Sequence, residues 1–301
     1  MKKLTLILFS VYIMLAVFCG CGNNTPDGTP SLVDFFAYEG VDGISDIQEV
    51  TLPKEFSSGC KSYKFTYSSD GCAVKGYISI PLSCSDTNPL QCVLYNRGGN
   101  SNMGLLTDLD TARICSATDR VVIASQYRGT DSGSGKDEFG GSDLNDVIKL
   151  IDLCENTFSF TQMEDFCVAG ISRGGMMTYM TARCDNRIKR IIAVSAVSDL
   201  FSSWDERDDM QKLLRESIGG SPDLLPKEYE NRSAIRWADE ITVPTLIIHS
   251  KGDELVSFSQ SEAMNAKLSS NGTDCTFITY DDDTHGFHEE DMNVINRWLS
   301  N

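Results

Sequence analysis

The sequence predicts an α/β fold: a mostly parallel central sheet with helices on both faces, entered through an N-terminal antiparallel hairpin. Three observations predict it. Apolar runs of strand length alternate with stretches of helical periodicity from Val121 onward, as in parallel strands joined by crossover helices. The segment from Glu49 to Pro81 instead reads as paired strands about a tight turn. At 301 residues and 41% hydrophobic, the chain can also build one large domain with a sizeable core.

Met1-Lys-Lys3 and the apolar run Leu4 to Phe18 together read as an export signal, the run being short for a membrane span. Phe18-Cys-Gly-Cys21 follows, then the polar, Pro- and Gly-rich stretch Gly22 to Pro30. A small residue directly before a cysteine, with a flexible tether after it, resembles a bacterial lipoprotein processing site with Cys21 as the lipidated first mature residue. An ordinary secretory signal cleaved nearby is the alternative. The expected organisation is a signal peptide over 1–20, a tether over 21–44 and the α/β domain over 45–301. It implies a lipid-anchored protein of the bacterial cell envelope, or a secreted one if the lipid site is unused.

Removing the first 20 residues deletes Lys2 and Lys3, so the formal charge of −17 becomes −19. With no basic stripe, this acidity argues against nucleic acid as a partner and disfavours anionic substrates. Of 11 cysteines, Cys19 and Cys21 belong to the export signal, and the other nine match no zinc-site spacing. Cys92, Cys154, Cys167, Cys184 and Cys275 fall in apolar strands or helices and read as small buried hydrophobes. Cys60 with Cys72, or Cys84 with Cys92, are the candidate disulfides of an oxidising compartment.

In the hairpin, Ser62 to Tyr67 alternates polar and aromatic residues, Ser68-Ser-Asp-Gly71 is the turn, and Cys72 to Ile80 pairs back before Pro81. The strand Cys92 to Tyr95 leads into the Gly-rich Asn96-Arg-Gly-Gly-Asn100. The strand Val121 to Ala124 leads into a second Gly-rich stretch, Gln126 to Asp143, which lacks the Lys-Ser/Thr ending of a phosphate loop and reads as a surface or site-rim loop. Leu144, Val147, Ile148, Ile151 and Cys154 mark a helix. The strand Asp165 to Gly170 and the helix Gly174 to Cys184 come next. Between the strands Ile191 to Val194 and Pro244 to Ile248 lies a long excursion, Ser198 to Val243. Its Phe201, Trp204, Leu213, Leu214, Tyr229 and Trp237 suit either a cap over the strand ends or outer-layer helices. A helix over Ser257 to Leu268, a strand over Cys275 to Tyr280 and a helix over Glu289 to Leu299 close the chain.

Chemistry concentrates in Val168-Ala-Gly-Ile-Ser-Arg-Gly-Gly175. A serine in Gly-x-Ser-x-Gly between a strand and a helix sits on a turn so tight that only glycine flanks it, leaving its hydroxyl above the sheet. Ser172 is therefore the candidate nucleophile, and a serine needs a base held by a carboxylate. His285, on the loop after a strand, is the candidate base. His288 reads as a surface histidine of the last helix, and His249, ending a buried run, as a packed or supporting group. Asp253 is the candidate acid; Glu254 is its nearest rival, and Asp281, Asp282 and Asp283 read as a solvated turn. The order Ser172, Asp253, His285 is that of α/β-hydrolases. Oxyanion donors are expected from the Arg173 N–H and the Arg97–Gly98 region, each worth about 3 to 4 kcal/mol of barrier.

Gln126-Tyr-Arg-Gly129, Phe139-Gly-Gly-Ser-Asp143, Gly170-Ile-Ser-Arg-Gly-Gly175, His249 to Val256 and Asp283-Thr-His-Gly-Phe287 together resemble the catalytic domain of the prolyl oligopeptidase family of serine peptidases, over residues 50–300 and in the family's order. The resemblance implies an α/β-hydrolase fold and carries the nucleophile onto Ser172, the acid onto Asp253 and the base onto His285. Two departures stand out. Larger members place a tyrosine hydroxyl in the oxyanion hole where this chain has Arg97, with Tyr95 two residues earlier, which leaves open whether a side chain or a backbone N–H is the second donor. They also carry an N-terminal β-propeller for which this chain has no room, so proline preference and dipeptide release do not carry over.

The expected activity is hydrolysis of short peptides or aminoacyl amides through an acyl-enzyme, with no metal or organic cofactor. A carboxylesterase acting on acylated carbohydrate or small esters is the alternative. A non-catalytic surface binding lipoprotein is a third reading, which has no need of all three triad residues. The expected partners are a small peptide or ester substrate and, through the N-terminal lipid alone, a membrane.

Overall fold

The computed structural model describes residues 32–300, so the expected export signal, the expected lipidation at Cys21 and the first part of the expected tether fall outside the described residues. In chain order the elements are β1 (Ser45–Val50), α1 (Lys54–Ser57), β2 (Cys60–Ser69), β3 (Cys72–Pro81), β4 (Leu90–Asn96), α2 (Asp110–Thr118), β5 (Val121–Ser125), α3 (Leu144–Asn156), β6 (Thr161–Ile171), α4 (Arg173–Cys184), β7 (Arg190–Val194), α5 (Leu200–Glu206), α6 (Asp208–Ile218), α7 (Pro226–Arg232), β8 (Thr245–Ser250), α8 (Phe258–Ser270), β9 (Cys275–Tyr280) and α9 (Asp291–Leu299). The strands form one sheet in the order β1-β2-β3-β5-β4-β6-β7-β8-β9. Its first three pairings are antiparallel and the rest parallel. This is the expected α/β fold with its N-terminal hairpin.

The hairpin turns on Asp70 and Gly71, both at positive φ (50° and 77°), and Ser69 pairs with Cys72 across them. An Asp-Gly pair takes that conformation cheaply, and its twist matches that of the strands. Alternation then divides the core between the two faces of the sheet. Val121 and Ile123 of β5 pack into the layer holding Leu150, Met176 and Met264 of α3, α4 and α8. Val122 and Ala124 face the layer of Ala112, Ile114, Ile295 and Leu299 from α2 and α9. Strands covered on both faces read as unbroken apolar runs, which is why they were visible in the sequence. Among the described residues no helix is long and apolar enough to cross a membrane.

Three expectations are corrected. The described cysteines are all free thiols. Cys60 pairs with Pro81 at the open end of the hairpin while Cys72 adjoins the turn, so no bridge can span them. The Cys84 thiol instead donates to the Phe160 carbonyl, and Cys92 Sγ faces Cys154 Sγ at 3.8 Å. Cys184, at the last residue of α4, is exposed, and Cys275 is only half-buried. His288 is not on the last helix: α9 starts at Asp291, whose carboxylate accepts from the His288 N–H at 2.8 Å. Its ring stacks on Tyr280 with centroids 3.8 Å apart and is mostly buried. Of the two readings of the loop from Gln126 to Asp143, the site rim fits: Phe139 lines the cavity that holds Ser172. Tyr127 is fully buried, and Arg128 reaches Asp146 at 2.7 Å and Asp70 at 2.9 Å, tying the loop to α3 and the hairpin turn.

Candidate active site

Ser172 stands between β6 and α4 with φ 57° and ψ −122°. A non-glycine residue there stores about 1–3 kcal/mol of strain, which the surroundings must over-determine. They do so by close approach. A Cβ on Gly170 would strike the Gly174 carbonyl, and one on Gly174 the Asn96 carbonyl at the end of β4. The turn is also stitched to its neighbours: the Ser172 N–H donates to Val194 O at 2.9 Å, and Ser172 O accepts from Gly175 and Val197. The hydroxyl is left partly exposed above the C-terminal ends of the parallel strands.

The loops after β8 and β9 bring Asp253 and His285 to the same end of the sheet. Lys251 and Gly252 N–H groups donate to Tyr280 O and Asp282 O, at 2.8 and 2.7 Å, holding the two loops together. His285 Nδ1 lies 2.8 Å from Asp253 Oδ2. The other carboxylate oxygen accepts from the N–H groups of Leu255 (2.8 Å) and Val256 (3.1 Å), and His249 Nε2 approaches Oδ2 at 3.0 Å. Burial alone would raise the Asp253 carboxyl, but hydrogen bonds from His249, His285 and the two backbone N–H groups outweigh it and hold it well below the usual carboxylate range. Glu254 and Asp281, Asp282 and Asp283 are exposed. Among the described residues no hydrogen bond joins Ser172 Oγ to His285, a contact that commonly tightens only with substrate bound.

Arg97 does not turn its charge to the site. Its buried guanidinium donates to five carbonyl oxygens, those of Gln126, Gly98, Met103, Gly104 and Ser101, at 3.0–3.3 Å, and so braces the Gly-rich loop after β4. That loop sets Gly98 against Ser172: a Cβ there would lie 3.3 Å from the serine Cβ. Among the described residues the N–H groups of Gly98 and Arg173 meet no acceptor. The Arg173 side chain points the other way, with Nη2 2.6 Å from Asp137 Oδ1 and 2.6 Å from Asp143 Oδ2. It lies between the rings of Tyr127 and Phe139, 4.8 Å from each centroid. Burial opposes its charge, but Asp143 and Asp137 more than compensate and hold the guanidinium above its ordinary value. Burial likewise opposes the Asp137 charge, and Arg173 with the Phe139 and Ser101 N–H groups keeps that carboxyl below its ordinary value. Neither acid was singled out in the sequence, because spacing alone does not say which buried cation an acid will meet.

Ser172, His285, Arg97, Gly98 and Arg173 all line one cavity of about 740 Å³. Its walls are largely apolar, with Tyr95, Leu106, Phe139 and Val256 among them. The excursion between β7 and β8 adds Ser203, Arg207, Asp209, Met210 and Leu213, so part of it does cover the strand ends. Phe201 and Trp204 of the same excursion both pack on Tyr229. Arg207, paired with Asp209, donates to the Leu255 carbonyl at 2.7 Å. Among the described residues no group of His, Cys, Asp or Glu is placed to hold a metal ion.

Comparison with known proteins agrees with this architecture. The chain is 27% identical over 252 residues to the uncharacterized peptidase YtmA of Bacillus subtilis, covering 81% of this chain and 95% of that protein. The acylaminoacyl peptidase of Pyrococcus horikoshii superposes with a TM-score of 0.70 at 18% identity, over 80% of this chain but only 42% of its own. Acetyl xylan esterase 1 from Thermoanaerobacterium superposes at 0.64 with 16% identity, over 86% of this chain and 88% of its own. The model of the prolyl oligopeptidase family matches residues 108–300, which contain the Gly-x-Ser-x-Gly turn and both strand-end loops, and the chain therefore belongs to that family and is a serine hydrolase.

Proposed function

We propose that this hydrolase cleaves short peptides or aminoacyl amides by acyl transfer through Ser172, His285 and Asp253. The observation that carries the reading is the buried Asp253 carboxylate hydrogen-bonded to His285 on the cavity that also holds a serine at a strained strand-to-helix turn. His285 Nε2 takes the hydroxyl proton as Ser172 Oγ attacks the substrate carbonyl carbon. The oxyanion is received by the Gly98 and Arg173 N–H groups, with the N-terminus of α4 beneath it. His285 then gives the proton to the departing amine, and water activated by the same imidazole releases the acyl group. Asp253 holds the tautomer that leaves Nε2 free to accept. The apolar walls suit an apolar side chain beside the cut, and Arg207 with Asp209 supplies a polar end to the cavity.

A carboxylesterase is the second reading. What favours it is span: the chain covers 88% of the acetyl xylan esterase but 42% of the acylaminoacyl peptidase. Matched panels of aminoacyl anilides and short-chain esters, with Ser172→Ala as control, test the choice. Anilide turnover comparable with ester turnover supports a peptidase; ester turnover alone selects the second reading. Unchanged turnover in Ser172→Ala would remove both. Placement at a bacterial envelope through lipidated Cys21 belongs to the same proposal and rests on residues 1–30. Mass spectrometry of the mature N-terminus checks it, and an unacylated amine there would refute it.

A further inference from the structure

Asp253 serves two histidines, and the proposed mechanism uses one of them. His249, on β8, has a side chain fully removed from water. Its Nε2 faces two groups that can only accept, the Asp253 carboxylate at 3.0 Å and the Val256 carbonyl at 3.1 Å. Its Nδ1 lies 2.7 Å from the Ser261 hydroxyl of α8, which can donate. For a singly protonated imidazole one arrangement satisfies every atom: the proton sits on Nε2, and Nδ1 receives the Ser261 hydroxyl proton. A proton on Nδ1 alone would set the Nε2 lone pair against two oxygens.

The carboxylate needs this anchor for a geometric reason. The Leu255 and Val256 N–H groups hold Oδ1 only. A carboxylate pinned at one oxygen still swings about its last side-chain torsion, which has a broad minimum. His285 holds the other oxygen, but it sits on a surface loop and must exchange a proton with substrate. His249 holds that same oxygen from inside the sheet.

We propose that His249 is a positioning residue for catalysis: its Nε2–H fixes the plane of the Asp253 carboxylate, so that Oδ2 meets His285 Nδ1 in line. The inference rests on the assignment of Ser172, Asp253 and His285 above and goes beyond it by adding a group that never meets substrate. It differs from a purely structural role in what it predicts for turnover. A histidine that only filled space would, when replaced, lower stability and leave kcat of the folded fraction alone.

The experiment is steady-state kinetics on the full chain with four variants, each checked for folding by circular dichroism. His249→Leu removes the donor and is expected to lower kcat by about ten- to a hundredfold, the usual cost of losing a supporting hydrogen bond. KM stays near the parent value, because no substrate contact is lost. His249→Gln places an amide N–H where Nε2 was and is expected to recover most of the lost turnover. Asp253→Asn is expected to cost far more, about 10⁴-fold, because it lets the base adopt the wrong tautomer. Ser172→Ala separates the two possible failures. Activity surviving in Ser172→Ala overturns the assignment of the site. A dead Ser172→Ala beside a folded His249→Leu with parental kcat overturns the role of His249 alone. A second measurement needs no variant that folds: proton–nitrogen correlation NMR of the parent protein should find a proton on His249 Nε2, and an Nε2 that carries none would overturn the proposal.

Discussion

Arg173 Nη2 lies 2.6 Å from Asp143 Oδ2, and neither side chain reaches water. The residue after the candidate nucleophile thus has its N–H at the cavity and its charge locked into the loop before α3. Asp143 is itself held by the N–H groups of Gly140 and Gly141, both at 2.9 Å. Leaving one member of such a buried set without its partner costs about 3–5 kcal/mol, because the other charge stays dehydrated and unpaired. Arg173→Met and Asp143→Ala are each expected to lose stability in that range. The urea midpoint at neutral pH measures it, and a midpoint equal to the parent's would contradict the arrangement.

Gly174→Ala tests the turn itself. Its added methyl meets the Asn96 carbonyl, which belongs to β4 in the middle of the sheet and cannot step aside. Overpacking of a rigid site costs about 1–3 kcal/mol. Because the strain is relieved by moving Ser172, turnover should fall more than stability does. A variant with parental kcat would show that the contact is looser than drawn.

Acid should weaken the fold through Asp253 and Asp137, whose carboxyls are held below their ordinary values in the folded state. The unfolded chain then binds more protons, so stability rises with pH across this range. The contribution is complete above the unfolded carboxylate value of about 3.9 and is lost as pH falls through the lower folded values. Unfolding midpoints measured in a pH series should therefore decline below about pH 4, and Asp137→Asn should flatten part of that decline. A decline equally steep in Asp137→Asn would assign the effect to other groups.

Cysteine accessibility should follow the layers of the sheet. Cys184 is exposed, whereas Cys92, Cys154 and Cys167 lie in the core. A thiol reagent added to the folded protein is expected to label Cys184 first, and those three only after denaturant is added. Early labelling of Cys167 would mean that β6 opens well below the unfolding transition.

The sequence by itself determined the elements and the chain order of the candidate residues. The Asp-Gly turn, the unbroken apolar runs and the glycines on either side of Ser172 are local signals, each set by what neighbouring residues permit the backbone to do. Asp253 and His285 were legible for a related reason: both follow strands, and parallel strands in one sheet deliver their following loops to one end. What only the tertiary structure decided depends on which distant segments meet. Asp137 and Asp143 became partners of Arg173, and Arg97 a brace for five carbonyls, because the loops after β4 and β5 close over the turn at Ser172. His288 left the predicted helix because Asp291 captured its N–H, and Cys60 parted from Cys72 because the hairpin runs its full length between them. His249, at the end of a buried run, read as either a packed or a supporting group; the packing of α8 and the loop at Val256 gave both of its nitrogens a partner. Such contacts join residues dozens of positions apart, or turn on one side chain's direction, and no periodicity in the chain encodes either.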